Sequence, residues 1–224
     1  MVNGAVVLEV PKDEGDWAPI LDRGYEVIAD GELLVVATDT VYGVACDPFN
    51  AEAVERLFTA KRRGRHLPLP VLVHGWRQAS GLVRDPGDRG RTLASAFWPG
   101  PLTLVLSQAP GLSWQLGEAR GTVALRAPDQ PFLLALLRRT GPLAVTSANR
   151  SGSPTPSTMA GVVAELGTEI AAFLDDGPRE GRASSIVDLS GSRPLLLRPG
   201  PLDRVDLERV LEGVIEEIAF PSET

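Results

Sequence analysis

Leu33-Leu34-Val35-Val36-Ala37-Thr38-Asp39-Thr40-Val41-Tyr42-Gly43 holds the change of character on which the fold turns. Leu33 to Ala37 is an unbroken apolar run without polar alternation, the pattern of a strand covered on both faces. The Thr-Asp-Thr that follows places two hydroxyls and a carboxylate at the exit of that strand, and in α/β sheets ligands collect at strand ends. The same residues are equally compatible with a plain strand-to-turn transition, with Thr as a β-former and Gly43 closing the turn.

Working outward, Asn50 precedes AEAVERLFTAKRR as the N-cap of an amphipathic helix whose Ala53, Val54, Leu57 and Phe58 share one face. Leu69 to Val73 is a strand in which Pro70 marks either an edge or a strand start. Asp85 to Phe97 is a weaker helix ending at the Trp98-Pro99-Gly100-Pro101 turn. Strands are expected at Leu102 to Leu106, Thr122 to Arg126, Leu143 to Thr146, Ala171 to Leu174, Ile186 to Leu189 and Leu195 to Leu197. Helices are expected at Gln130 to Arg139, Thr158 to Leu166 and Val205 to Ile218. Several connections are too short for a helical crossover, so the sheet of this α/β chain is mixed. No repeat and no long linker divides it, and 1–224 reads as a single domain.

The 224 residues are 43% hydrophobic and 23% charged, enough material for one large core. The formal net charge of -7 disfavours general nucleic-acid binding, because phosphate neutralisation supplies most non-specific affinity. A single cysteine, Cys46, rules out an intramolecular disulfide and a thiolate zinc cluster, and with two histidines no soft-ligand metal site is expected. The N-terminus lacks a secretory pattern, and no stretch approaches the roughly 20 apolar residues of a membrane-spanning helix, so the cytoplasm is the expected address.

Three further constellations suggest chemistry. Lys61-Arg62-Arg63-Gly64-Arg65 sits at a helix C-terminus, where the macrodipole alone favours one or two cations. Four in five positions look more like an anion site, and Lys61 is one of only two lysines among 22 basic residues. Thr146-Ser147-Ala148-Asn149 leaves a short strand with Ser147 and Asn149 on the same side, able to hold phosphate or ribose or simply to cap a turn. Arg126 and Arg198 end strands, where arginine suits carboxylate or phosphate. There is no P-loop, no GxGxxG fingerprint and no GxSxG elbow. The residues alone define an anion-binding α/β protein of unfamiliar type.

In order, TDTVYG from Thr38, DPFN from Asp47, AKRRGRHLPLPVLV from Ala60, FWPGPLTLVL from Phe97, GTVALRAP from Gly121, TSANRSG from Thr146, SSIVDL from Ser184 and LLRPG from Leu196 resemble the YrdC-like threonylcarbamoyl-AMP synthase family. The resemblance covers about residues 20–205, leaving the N-terminal segment and the C-terminal helix peripheral. It implies a single-domain YrdC-like fold: a twisted mixed sheet flanked by helices around a positively charged cavity. It implies a nucleotidyltransferase in which the amine of L-threonine captures bicarbonate and ATP adenylylates the carbamate, releasing pyrophosphate, for threonylcarbamoyladenosine modification of tRNA. The family's KxR and SxN signatures fall on Lys61, Arg63, Ser147 and Asn149, as the catalytic set. ATP is expected at Lys61, Arg63, Thr122, Ser147, Asn149 and Arg198, with Mg²⁺ carried by the triphosphate and no metal held by the protein. L-threonine is expected at Thr38, Thr40, Arg126 and Ser184. Asp39 is a candidate general base, or a brace for the loop.

The chain departs from the family's pattern at Ala37 and Gly64, where proline is usual, and at Leu72, where some members carry a threonine-binding histidine and this chain has His74 two residues on. Ser185 stands where Thr is common. The family further implies a transient contact with a tRNA threonylcarbamoyl transferase complex. An RNA-binding module of the same fold, using the Arg62 to Arg65 run without synthase activity, is the alternative.

Overall fold

The computed structural model describes residues 6–217, in which a mixed sheet of eleven strands is flanked by seven α-helices. The strands are β1 (Val6–Glu9), β2 (Leu34–Ala37), β3 (Tyr42–Cys46), β4 (Val71–Leu72), β5 (Leu102–Ser107), β6 (Thr122–Arg126), β7 (Leu143–Ser147), β8 (Ala172–Asp175), β9 (Ser185–Asp188), β10 (Leu195–Arg198) and β11 (Glu216–Glu217). The helices are α1 (Ala18–Ala29), α2 (Ala51–Ala60), α3 (Trp76–Ser80), α4 (Gly87–Phe97), α5 (Pro131–Thr140), α6 (Met159–Leu166) and α7 (Arg204–Leu211). Across the sheet the order is β1-β8-β2-β3-β7-β4-β6-β5-β9-β10-β11. Parallel pairs such as β2–β8 and β4–β6 alternate with antiparallel hairpins such as β2–β3 and β5–β6.

Several expectations need correction. Of the two readings of Pro70 the strand start holds and the edge does not: β4 is a central strand between β7 and β6, and Pro70 stands just before it, accepting a hydrogen bond from Val145 N through its carbonyl. The helix after Asn50 does not run through Arg63. The Asn50 side chain does cap it, accepting from Glu52 N and Ala53 N, but α2 stops at Ala60 and Arg62 takes a left-handed φ of 49°. The C-terminal helix is shorter than Val205 to Ile218: α7 ends at Leu211 and β11 follows, while Ile218 lies outside the described residues. β3 was not expected as a strand, because Gly43 within it reads as a turn. The glycine is there for closeness: a Cβ would come within 2.6 Å of Val145 Cγ1 on the neighbouring β7.

Two apolar cores lie on opposite faces of the sheet. One joins Val35, Val44, Val71, Leu104, Val123, Leu125 and Val187 to α2, α4, α6 and α7 through residues such as Leu57, Leu93, Val162 and Leu207. The other joins Leu34, Val36, Ala45, Leu72, Leu143 and Val145 to α1 and α5 through Val27, Ile28, Phe132 and Leu136. This second core takes in β8, β2, β3, β7 and β4 but no residue of β6, β5, β9 or β10. Side chains alternate along strands, so Thr122, Ala124, Arg126, Thr103 and Val105 point to the second face where that core has ended. A half-face carrying hydroxyls and a guanidinium instead of an apolar layer is where a ligand can be received.

Candidate functional site

The Thr38–Val41 turn joins β2 to β3 and is built by the Thr38 hydroxyl. Its Oγ1 accepts from Thr40 N and Val41 N, each at 3.1 Å, and donates to Val41 O at 2.6 Å. Thr40 Oγ1, 3.0 Å away, therefore donates to Thr38 and accepts from Arg126 Nη1 at 3.0 Å. Thr38 is consumed by the turn, and Thr40 is the hydroxyl it presents.

Arg126 is 5% exposed, and its guanidinium is held at three points. Nε donates to Gly100 O at 3.0 Å, Nη1 to Thr40, and Nη2 pairs with Asp39 Oδ1 at 2.5 Å. Burial lowers its pKa, and the Asp39 carboxylate opposes that shift. Asp39 thus braces the site; its carboxylate is spent on Arg126. β3 and β6 run in the same direction, so in a flat sheet the turn before β3 and the C-terminal end of β6 would lie at opposite ends. The hydrogen bonds from Arg126 to Thr40 and Asp39 nonetheless bridge these diagonal corners.

Next to Arg126 lies a second hydroxyl pair. Ser184 Oγ is 2.8 Å from Thr103 Oγ1, and both residues are buried. Arg198 folds onto the same place, with Nε and Nη2 donating to Ser184 O at 3.0 and 2.8 Å. Thr40, Arg126 and Ser184 are therefore gathered at the exits of β2 and β6 and the entry of β9. Arg198 is grouped with them, at the far end of the β5–β6 ladder from Thr122, whose cross-strand partner is Ser107.

The remaining expected residues form a second group. Lys61 caps α2 and is 1% exposed; its ammonium donates to Ser147 O, to Asn149 O at 2.5 Å and to Asn149 Oδ1 at 3.4 Å. Three acceptors require three N–H groups, which only the protonated amine has. Against that, burial and then the Arg63 charge pull its pKa down to about 7, with Glu165 opposing. The Asn149 amide is also fully engaged, donating to Arg150 O and Ser153 O and accepting from Thr155 Oγ1 at 3.2 Å. Arg63 donates to Leu67 O at 2.9 Å and Pro68 O at 3.3 Å. The Ser147 hydroxyl has no hydrogen-bond partner among the described residues, and by alternation with Leu143 and Val145 it faces the same side as Thr122. Thr122 Oγ1 donates to Ala119 O at 2.6 Å.

Arg62, Arg63 and Arg65 differ in their contacts. Arg62 is exposed, Arg63 is turned onto the Leu67–Pro68 carbonyls, and Arg65 pairs with Glu55 while lying 5.0 Å over the Phe58 ring. His74 is half-buried; its backbone N–H donates to Gln78 Oε1, and its Nδ1 is buried without a partner among the described residues. No group of three His, Cys, Asp or Glu side chains able to hold a metal occurs among the described residues. No helix among them is long and apolar enough to cross a membrane.

Sequence reasoning missed Arg179, Asp176 and Tyr42. Arg179 Nε donates to Thr38 O at 2.7 Å, and Nη2 pairs with Asp176. The Tyr42 hydroxyl donates toward Asp175 Oδ1 at 2.8 Å and Gly177 O at 2.7 Å. Burial, reinforced by Asp175, raises the Tyr42 pKa. Only Tyr42, a large polar aromatic beside the Thr38–Thr40 turn, carried a signal that could have flagged it.

The fold and site together define an α/β protein with a hydroxyl- and arginine-rich half-face on its sheet. A family model described as "Telomere recombination", the Sua5/YciO/YrdC family, matches residues 26–200, and the chain belongs to that family. A Mycobacterium tuberculosis protein provisionally named threonylcarbamoyl-AMP synthase is 50% identical over 83% of this chain and 84% of its own length. A Pyrococcus abyssi protein named threonylcarbamoyl-AMP synthase is 33% identical over 92% of this chain, which spans 61% of that relative. The crystal structure of P. abyssi Sua5 complexed with L-threonine superposes with a TM-score of 0.87 at 32% identity, over 95% of this chain and 63% of that one.

Proposed function

We propose that this chain synthesises L-threonylcarbamoyl-AMP from L-threonine, bicarbonate and ATP, releasing pyrophosphate, as a nucleotidyltransferase serving threonylcarbamoyladenosine modification of tRNA. The observation that carries the reading is the state of Arg126. A guanidinium has five N–H groups, and here three are committed to Gly100, Thr40 and Asp39. One N–H on each terminal nitrogen is left to meet a carboxylate. Hydroxyls of Thr40 and Ser184 stand close by for the amino and hydroxyl groups of the amino acid. The names of the family relatives and the threonine-bound P. abyssi structure support the same choice of substrate.

In this reading the threonine amine attacks the carbon of bicarbonate, a C–N bond forms and water leaves. A carbamate oxygen then attacks the α-phosphorus of ATP, and the bond to pyrophosphate breaks. Such transfers are accelerated mainly by positioning and charge stabilisation, so a site without cysteine or histidine nucleophiles suffices. Arg63, Thr122 and Ser147 receive the nucleotide, with Arg198 reaching it from the Ser184 side. Lys61 and Asn149 act chiefly by holding the loop that presents Ser147, since their polar atoms are taken up by it. Mg²⁺ enters with the triphosphate, bound by phosphate oxygens and water, which is the ordinary mode for this hard cation. The acyl-adenylate product is a reactive mixed anhydride, and a tRNA threonylcarbamoyl transferase complex is its proposed receiver.

Mass spectrometry of products from ATP, isotopically labelled bicarbonate and threonine tests the assignment. The label is expected in a threonine-containing adenylate, with pyrophosphate released only when all three substrates are present and not when glycine replaces threonine. Salt-sensitive RNA binding with no such product would replace the synthase by the RNA-binding alternative.

A further inference from the structure

Arg179 lies in the connection between β8 and β9, and all three of its guanidinium nitrogens are engaged. Nε donates to Thr38 O at 2.7 Å; Nη1 donates to the carbonyls of Asp176, Gly177 and Pro178 at 2.9, 3.2 and 3.1 Å; Nη2 pairs with the Asp176 carboxylate. Asp176 is held in turn by Gln130 Nε2 at 2.5 Å, at the N-cap of α5. The guanidinium carbon stands 6.0 Å from the centre of the Tyr42 ring, and the Arg179 backbone N–H donates to Ser157 O at 2.7 Å. Two residues further on, the chain passes so close over the turn that a Cβ on Gly181 would lie 2.4 Å from Thr40 O.

We propose that Arg179 is a positioning residue: it clamps the 176–184 segment down on the Thr38–Thr40 turn and thereby sets the pocket for the amino-acid substrate. The turn is tied to β6 from one side, through Thr40 and Asp39 on Arg126. Its outward carbonyl, Thr38 O, is fixed by Arg179, and its inward hydroxyl, Thr40 Oγ1, by Arg126. The same segment continues into Ser184, so one guanidinium constrains both hydroxyls offered to threonine. A lysine cannot replace it, because the links to Thr38 O and to Asp176 leave from different nitrogens and an ammonium has only one. The nucleotide side meets Arg179 through its backbone bond to Ser157, which a side-chain substitution leaves in place, and through Ser184 O, which holds Arg198 at the far end of the segment. This inference rests on the proposed synthase reading.

The test is steady-state pyrophosphate release by the full chain carrying Arg179→Ala, with threonine and ATP varied separately. The KM for threonine is expected to rise about tenfold or more, the size of one lost charge-assisted hydrogen bond. The KM for ATP should stay within about twofold and kcat within about threefold, since Arg63, Thr122 and Ser147 lie outside the clamped segment. Millimolar methylguanidinium should lower the threonine KM of the alanine variant, and Arg179→Lys should not restore it. An unchanged threonine KM, or an equal rise in both KM values, overturns the proposal. If the alanine variant does not fold, Gly181→Ala disturbs the same contact from the other side and must give the same split. Should the wild-type chain lack synthase activity, the functional reading fails by itself, and amide exchange then decides the clamp. Exchange at Thr40 N and Val41 N must quicken in Arg179→Ala, and unchanged protection overturns it.

Discussion

Replacing Asp39 by Asn tests the arrangement on which the amino-acid side depends. The Asp39–Arg126 pair is close, 2.5 Å between Oδ1 and Nη2, and nearly dry, with side chains 13% and 6% exposed. Charge centres about 4 Å apart interact by about 4 kcal/mol at an effective dielectric of 20. Removing one partner also leaves the other charge buried, and such truncations cost about 3–5 kcal/mol. The asparagine carbonyl can still accept one hydrogen bond, which places Asp39→Asn near the lower bound, at about 3 kcal/mol. Urea unfolding at neutral pH, with the slope unchanged, reads this number directly. Adding Arg126→Met on the same chain removes the stranded charge, so the double variant is expected to be less unstable than the two single losses added, with a coupling of about 2 kcal/mol or more. A free energy for Asp39→Asn within about 1 kcal/mol of wild type would refute the claim that Asp39 braces a buried guanidinium.

Ser147→Ala is expected to leave stability within about 0.5 kcal/mol, because no protein partner is lost, while lowering turnover at least about tenfold; equal activity removes Ser147 from the nucleotide site. Lys61→Met addresses protonation. The folded pKa of Lys61, about 7, lies below its unfolded value of about 10.4. The unfolded chain therefore holds the extra proton between those values, and wild-type stability from this group is full above the upper pKa and falls as pH drops toward the lower one. From pH 7 to pH 9 the wild type should gain about 2 kcal/mol relative to the Met variant, measured by denaturant unfolding at both pH values; parallel behaviour sinks the burial argument. Gly43→Ala should cost about 1–3 kcal/mol by overpacking, since its Cβ would meet Val145 Cγ1 at 2.6 Å, and a thermal scan showing no loss would contradict the close β3–β7 approach.

Much was legible in the chain itself. Apolar runs at Leu33–Ala37 and Leu143–Thr146 specify strands because each buries both faces, and Asn50 marks a helix start because its side chain satisfies orphan amides. Short connections imply a mixed sheet, and the ordered motifs point to the family. β3 was hidden by Gly43 and α7 was overextended, since local pattern does not report how near a neighbouring strand lies or where a cap residue turns left-handed.

Within the site, residue types were readable and roles were not. The sequence by itself determined that Lys61, Arg63, Arg126 and a set of Ser and Thr hydroxyls stand at element ends, where charge and polarity are tolerated. Only the tertiary structure decided that Lys61 and Asn149 spend their polar atoms on one loop, that Thr38 serves its own turn, and that Asp39 belongs to Arg126. It also joined Arg179 to Thr38 across 141 positions of chain. The physical reason is that a hydrogen-bond donor's function depends on which acceptors reach it, and those acceptors are set by sheet twist and loop closure, not by neighbours in sequence.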